Sequence, residues 1–361
     1  GQGSFVTQPL MLYHSRRIGG VPGAITPEEG EIIERPGQTG ILGAARIFGR
    51  TAQGVTYSAV NSVTAAADGR LEIISATDTL HRQERIEPLT NYLAGRVEKA
   101  FINDLSTIGL MYTHVAPRTL PGQAVAAADW RLRLLENHLT IAGQAVLASS
   151  AGHRSGGVRV DLRYDNMRWW DLTFKGGRYG QEFDINRLGY LRRSGISGYV
   201  VKGGLRRQDP WSVFRRMWLS LNYFKYTRLD RTTLIEEVEI QQHIMFTNYY
   251  SFEWSLARTF PSFDDSDTFR DDSAWILART AGWRASGQLK SDQKRMMAAE
   301  LMLVVTHFDS GTNMKEAAVV LNLRPTDYVK FSIQSTLGSI ASEEQWVDIE
   351  KEANEINRIY A

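Results

Sequence analysis

Hydrophobic and polar residues alternate with a two-residue period along most of this chain. The stretch LIEEVEIQQHIMFTN, residues 234–248, places Val238, Ile240, Ile244 and Phe246 between Glu237, Glu239, Gln241 and His243. Successive side chains of a strand point to opposite faces, whereas a helix would spread these residues around its circumference. The pattern therefore predicts a long β-strand with one apolar face and one polar face.

The same alternation recurs from end to end and predicts about 17 strands, each bounded to within about 2 to 4 residues. They fall at 10–16, 39–50, 54–65, 89–102, 106–116, 124–135, 138–149, 157–166, 168–176, 195–207, 212–228, 233–247, 249–260, 273–286, 295–308, 314–324 and 327–340, and an eighteenth begins near Ile356. We predict an antiparallel all-β fold in one domain spanning residues 1–361, without a competing helix.

The connections between these strands alternate in length. Short ones at 51–54, 103–106, 136–138, 165–167, 207–210, 247–249 and 324–327 contain the Asn, Asp, Gly and Pro of tight turns. Longer ones lie at 19–38, 66–88, 117–123, 150–156, 177–194, 261–272 and 341–355. Two connections, 229–232 and 287–294, depart from the alternation of short and long. In an up-and-down meander, alternation places the tight turns at one end and the long loops at the other, which is typical of outer-membrane barrels.

A bilayer offers no hydrogen bonds to the backbone, so an all-β chain crosses it only as a closed barrel. Strands of about 9 to 11 residues then send apolar side chains to lipid and polar ones to the lumen. We expect Arg159, Asp161, Arg163, Glu237, Glu239, Gln241 and His243 to line the lumen. Aromatic residues near strand ends should form interfacial girdles: Trp211, Trp218, Tyr249, Tyr250, Trp254, Trp275, Trp283 and Trp346.

The alternative is a soluble sandwich or large sheet, in which the same alternation separates a core from water. Composition does not choose between the two, since 43% hydrophobic and 23% charged residues suit either. The formal net charge of +2 argues against a nucleic-acid partner, and the absence of Cys excludes disulfides and Cys-ligated zinc. We favour the membrane barrel because a sandwich seldom needs so many long strands.

Four segments resemble the barrel part of the domain-of-unknown-function family 5916: LMLYHSRRIG (10–19), TGILGAARIFGRTAQGVTYSAVNSVT (39–64), EPLTNYLAGRVEKAF (87–101) and EFDINRLGYLRRSG (182–195). The resemblance implies a bacterial outer-membrane barrel, often preceded by a carbohydrate-binding module similar to family 9. It also implies that this chain lacks that module and later strands, so that its barrel is incomplete. The family carries no established reaction, and no catalytic residue is transferred.

Candidate chemistry is sparse. Glu237, Glu239 and His243 share a face and suit an ion path, although a structural ladder of paired charges explains them better. The acidic loop FDDSDTFRDD, residues 263–272, offers oxygens for Ca²⁺ but lacks the Gly and terminal Glu of a calcium loop. Arg16, Arg17 and the RRSG segment at 192–195 suit lipopolysaccharide phosphates or plain solvation. We assign no catalytic, cofactor-binding or metal residue.

The sequence thus predicts an outer-membrane barrel that serves in transport or as a component of an envelope assembly. Lipid and lipopolysaccharide are its expected surroundings, together with other envelope proteins. One alternative is a carbohydrate-binding or carbohydrate-processing membrane protein whose active module is the missing N-terminal domain. Another is a structural interaction subunit without a pore. Enzymatic activity is not expected of the barrel itself.

Overall fold

The computed structural model describes residues 8–74, 79–102, 105–265, 277–326, 328–342, 346–352 and 355–360. Within these ranges, the side chains of residue 277 and of the last two ranges are not described. The regular structure is almost entirely β-strand. The only helical element in the described ranges is a short 3-10 turn, Ser15–Arg17. No helix in this part of the chain has the length and apolar character needed to cross a membrane.

Sixteen strands form one large antiparallel sheet. They are β2 (Ile41–Arg50), β3 (Val55–Thr64), β6 (Thr90–Phe101), β7 (Ser106–Pro117), β8 (Gln123–Leu134), β9 (Leu139–Ser150), β10 (His153–Asp165), β11 (Trp170–Tyr179), β12 (Ile196–Arg207), β13 (Phe214–Arg228), β14 (Thr233–Phe246), β15 (Ser251–Thr259), β18 (Gly282–Lys290), β19 (Met297–Phe308), β20 (Asn313–Thr326) and β21 (Val329–Ala341). Their spatial order follows the chain, so the sheet is a meander.

Smaller sheets lie in the connections and beyond the meander. A three-stranded sheet contains β1 (Glu31–Glu34), β4 (Ala67–Ile74) and β5 (Thr79–Glu87). Two hairpins are formed by β16 (Ser262–Asp264) with β17 (Leu277–Arg279), and by β22 (Trp346–Glu352) with β23 (Glu355–Tyr360). The links predicted at 19–38, 66–88, 261–272 and 341–355 therefore contain strands of their own.

The large sheet confirms an all-β antiparallel fold and contains sixteen of the predicted strands. The bounds predicted at 273–286 are wrong, because β18 spans Gly282–Lys290 and extends into the link predicted at 287–294. The prediction for 10–16 is wrong, because this segment contributes only an isolated bridge from Met11 and the 3-10 turn. The order of the meander begins with β2 and ends with β21, and no pairing joins these two strands in the described residues. A closed barrel is therefore not observed.

Every second connection of the meander is short, as predicted, and several turn residues adopt a positive φ. Ala151 and Gly152 have φ of 48° and 85°, which is the backbone of a type I′ turn. This turn joins β9 directly to β10, so the longer loop predicted at 150–156 is wrong.

Between β13 and β14, Asp230 accepts a hydrogen bond from the N–H of Thr232 at 2.9 Å, which holds the pKa of Asp230 below its usual range.

The chain divides into two compact units, Gly1–Leu162 with Lys175–Gly198, and Arg163–Phe174 with Tyr199–Ala361. In unit 1, the strands separate side chains by face as the alternation predicts. Tyr92, Ala94 and Val115 are buried on one face, whereas Val97 and Leu110 on the opposite face are 51% and 62% exposed. The cross-strand pairs Tyr92↔Val115 and Val97↔Leu110 fix this register.

Unit 2 shows the same separation without a buried apolar face in its last strands. Leu303 on β19 is 50% exposed, Leu321 on β20 is 51% exposed and Ile333 on β21 is 67% exposed. Leu321 lies directly opposite Ile333, and the neighbouring positions on the other face include Glu300, Asn322 and Gln334. Large apolar side chains thus cover one face of β19 to β21, where they are exposed and do not converge on a core among the described residues.

Candidate functional site

The polar residues predicted on β14 lie on one face of unit 2, and each has a partner on a neighbouring strand. Their cross-strand neighbours on that face include Trp218, Ser220 and Asn222 of β13 and Glu253 and Ser255 of β15. The alternation of the sequence placed Glu237, Glu239, Gln241 and His243 together, and the structure brings all four into one row. We call this group and its partners the polar row.

Glu237 is the most buried carboxylate of the polar row, with 9% of the residue exposed. It accepts hydrogen bonds from Arg284 Nη2 and from Thr259 Oγ1, both at 3.0 Å. Arg284 also lies 3.8 Å from Glu239, which accepts a weak bond from Asn222 at 3.4 Å. A charge taken out of water needs such partners, so this part of the row is a satisfied ion cluster.

His243 is held by an aromatic stack and a carboxylate. Its ring lies 3.8 Å from the ring of Trp218 with an interplanar angle of 3°. Its Nδ1 is 3.2 Å from Glu253, whose other oxygen accepts a 2.6 Å hydrogen bond from Gln241. The Nε2 atom of His243 is buried and has no hydrogen-bond partner among the described residues.

The predicted residues of β10 form separate ion pairs and do not join the polar row. In unit 1, Arg159 is 6% exposed, lies 3.5 Å from Asp161, and shares that carboxylate with Lys175 at 3.8 Å. In unit 2, Arg163 lies 3.2 Å from Asp165, which also receives both terminal nitrogens of Arg206. The alternation therefore found the charged positions of β10, which include Asp165, but not their partners Lys175 and Arg206 on other strands.

The aromatic residues expected at strand ends fall into several environments. Trp211 and Tyr249 lie in turns, where Arg207 is 4.3 Å above the Trp211 ring and Arg215 is 4.8 Å above the Tyr249 ring. Tyr250 lies in the same turn as Tyr249, and Trp283 is exposed near the start of β18. Trp218 was expected in a girdle but lies on the polar face, since it pairs with His243.

Three further residues of that set complete the comparison. Trp254 lies within β15 on the apolar face, where its Nε1 donates a 2.9 Å hydrogen bond to Gln242. This bond satisfies the polar residue that interrupts the apolar positions of β14. Trp275 lies outside the described residues, and the side chain of Trp346 is not described.

In unit 1, two segments cover the buried face of β6 to β9. We call residues 10–18 and 180–195 the covering layer. Leu10 exchanges hydrogen bonds with the Gln144 side chain of β9 at 2.9 and 3.4 Å. Leu188 is 1% exposed and packs with Tyr92, Ala94 and Val115, against which Tyr13 and Ile18 also pack.

The two segments of the covering layer also bind each other. Tyr190 N–H donates to Met11 O and His14 N–H donates to Leu188 O, each at 2.7 Å. Gln123, at the start of β8, donates to Asp184 Oδ2 at 3.1 Å and accepts from the Arg187 N–H at 3.2 Å. The layer is therefore hydrogen-bonded to the sheet and within itself.

No group of three or more potential metal-binding side chains is found in the part of the chain that the structure describes. The acidic loop considered for Ca²⁺ is described only through residue 265, and its other acids lie outside the described residues. In the described part, Asp264 pairs with Arg279 and Asp265 is buried.

The model of the family described as "Domain of unknown function (DUF5916)" matches residues 8–360. The chain belongs to this family. No curated protein and no solved structure matches the chain. The segments LMLYHSRRIG and EFDINRLGYLRRSG, which carry part of the resemblance in the sequence, contain most of the covering layer. This DUF5916 chain thus brings together two motifs that are more than a hundred residues apart.

Proposed function

We propose that this DUF5916 chain forms an outer-membrane β-barrel, with its apolar face against lipid and its polar face lining a lumen. The supporting observation is the exposure of Leu, Ile, Val and Phe at alternate positions of successive long strands. Exposed apolar patches of this extent are unusual on monomeric soluble proteins and are typical of surfaces that meet lipid or a partner. Lipid tails would cover this surface, so its apolar side chains would not be in contact with water.

The polar face supports the same proposal. The polar row contains ion pairs and hydrogen bonds that would be costly next to hydrocarbon but are ordinary in a water-filled lumen. Among the described strands, β2 and β21 are the edges of the large sheet, and the backbone groups of an unpaired edge cannot be satisfied by a bilayer. Each edge therefore has a partner strand in the membrane-inserted form that we propose.

We propose further that the barrel serves in gated transport rather than as an open pore. The covering layer occupies the face of β6 to β9 that the barrel would direct inward, and its hydrogen bonds make it a plug. Large barrels in outer membranes are plugged in this way. A plug must open before a solute can pass, so transport would require residues 10–18 to separate from residues 180–195, which are joined by the backbone hydrogen bonds of Met11 and His14.

A disulfide across the plug tests this function. Met11→Cys with Tyr190→Cys would join the two segments at their isolated bridge, in a chain that has no natural Cys. We expect the oxidised double variant to lose the channel openings seen in planar bilayers under conditions that open the wild-type protein, and a reductant to restore them. A Ser255→Cys with Ser286→Cys variant, which joins two directly paired strands, is the matched control.

Unchanged conductance in the oxidised Met11 and Tyr190 variant would contradict gating by this layer. Absence of any conductance and of solute uptake by wild-type protein in bilayers would contradict transport. No observation on the described residues favours carbohydrate processing over this function.

A further inference from the structure

A cavity of about 590 Å³ lies in unit 2 beside β12 and β13. Its lining has six cationic side chains, Arg163, Lys202, Arg206, Arg207, Arg215 and Arg216, and one carboxylate, Asp171. The volume falls in the range of small-molecule sites, about 300 to 1,000 Å³. The cavity therefore combines the size of a ligand site with a strong excess of positive charge.

Part of this charge is not neutralised by the protein. Arg163 and Arg206 bind Asp165, which lies outside the lining of the cavity. Lys202, Arg207 and Arg216 have no carboxylate partner among the described residues. The Nε atom of Arg206 is buried and lacks a hydrogen-bond acceptor in this part of the structure. Unpaired cations that lie close together repel one another, so an anion in the cavity would stabilise Lys202 and Arg216.

The walls of the cavity are well defined. Trp218 lines it and is fixed by its stack on His243 and by Arg216, 5.5 Å from the Trp218 ring. Gly204 also lines it, and a Cβ atom there would lie 2.5 Å from Asp171 Oδ1. A side chain at 204 would meet the Asp171 carboxylate, so glycine leaves room for Asp171 on this wall.

We propose that this cavity binds a small organic anion that carries a phosphate or carboxylate group. Arg side chains bind the two oxygens of such a group in a fork, and Lys202 adds a point charge. Trp218, on the same face of β13 as Arg216, supplies apolar surface for the rest of the ligand. The site belongs to unit 2 alone, and its chemistry does not depend on the membrane location; in a barrel it would place an anion subsite on the transport path.

Binding to the purified full chain in detergent tests this site, with glucose 6-phosphate and glucuronate as probes and glucose as the neutral control. We expect Trp fluorescence and calorimetry to show that at least one of the two anions binds, that binding weakens as salt rises, and that glucose does not bind. Lys202→Gln and Arg216→Gln should each weaken the anion's Kd about tenfold, whereas Lys330→Gln, an exposed lysine of β21, should leave it unchanged.

Lys202→Arg keeps the charge and should restore most of the affinity, which separates a binding role from a folding defect. Equal binding of glucose, no binding of either anion, or affinities unchanged in both Gln variants would overturn the site. A preparation that stays monodisperse without detergent would count against the membrane location only, since the same titrations can then be made in buffer.

Discussion

At the residue scale, Glu237 illustrates how the polar face is held. Its carboxylate joins β14 to β15 through Thr259 and to β18 through Arg284. Removing one partner of a buried charge leaves the other without compensation, which costs more than the pair contributes. The polar row therefore joins neighbouring strands through paired side chains, and we call it a structural ladder because substitution of most of its residues would lower the stability of the sheet.

Glu237→Ala should lower the free energy of unfolding by about 1 to 3 kcal/mol, because Arg284 and Thr259 lose their acceptor. Glu316→Ala is the matched control, since Glu316 is an exposed carboxylate on β20 for which the change should stay within about 0.5 kcal/mol. Denaturant titration of both variants in the same detergent measures the difference. Equal stability of the two variants would show that the ladder contributes nothing.

Sequence alternation identified the β14 residues of the polar row but did not identify their partners on other strands. It assigns Glu237, Glu239, Gln241 and His243 to one face because their spacing is local. Glu253, Arg284 and Trp218 become their neighbours only through the register of β13, β15 and β18. Register is set by pairing between strands, so a single sequence does not reveal these partners.

At the element scale, β19 separates two environments at adjacent residues. Leu303 is on the exposed apolar face, and Met302 is on the opposite face, between Gln288 and Ala318. In a barrel, an arginine in place of Leu303 would be buried in hydrocarbon, whereas one in place of Met302 would reach the lumen.

Leu303→Arg should therefore destabilise the inserted protein by about 2 to 4 kcal/mol, and Met302→Arg by clearly less. Reversible unfolding in lipid vesicles measures both. On a water-exposed sheet, Leu303→Arg would instead be the less destabilising of the two changes, because Leu303 is already half exposed and would tolerate the arginine.

The covering layer depends on close packing of its backbone at Gly189. A Cβ there would lie 2.7 Å from Met11 O and 3.0 Å from Ile185 O, whereas at Gly203 in β12 it would meet nothing within 4 Å. Gly189→Ala should loosen the layer by about 1 to 3 kcal/mol, and Gly203→Ala should not. Hydrogen exchange of the 180–195 amides would report this, and equal protection in both variants would contradict the packing.

At the scale of the whole molecule, the strands could be predicted from the sequence, but the covering layer could not. Period-two alternation and turn residues predicted a strand near each of the sixteen of the meander, because both signals are local, although the strand predicted at 273–286 starts nine residues before β18. The segment at 10–16 has strand-like composition but binds the sheet through Leu10 and Met11 as part of the covering layer. That contact joins residues far apart in sequence, which local patterns do not encode.

The central claim is that hydrocarbon covers the apolar face of the meander. Because the chain contains no Cys, a spin label can be placed at single introduced cysteines along β19, from residue 299 to residue 306, in protein reconstituted into lipid vesicles. Electron paramagnetic resonance then measures collisions with oxygen, which concentrates in lipid, and with a water-soluble nickel chelate. The account predicts that labels at 299, 301, 303 and 305 favour oxygen and that those at 300, 302, 304 and 306 favour the nickel chelate. Nickel access at both sets of positions would contradict it.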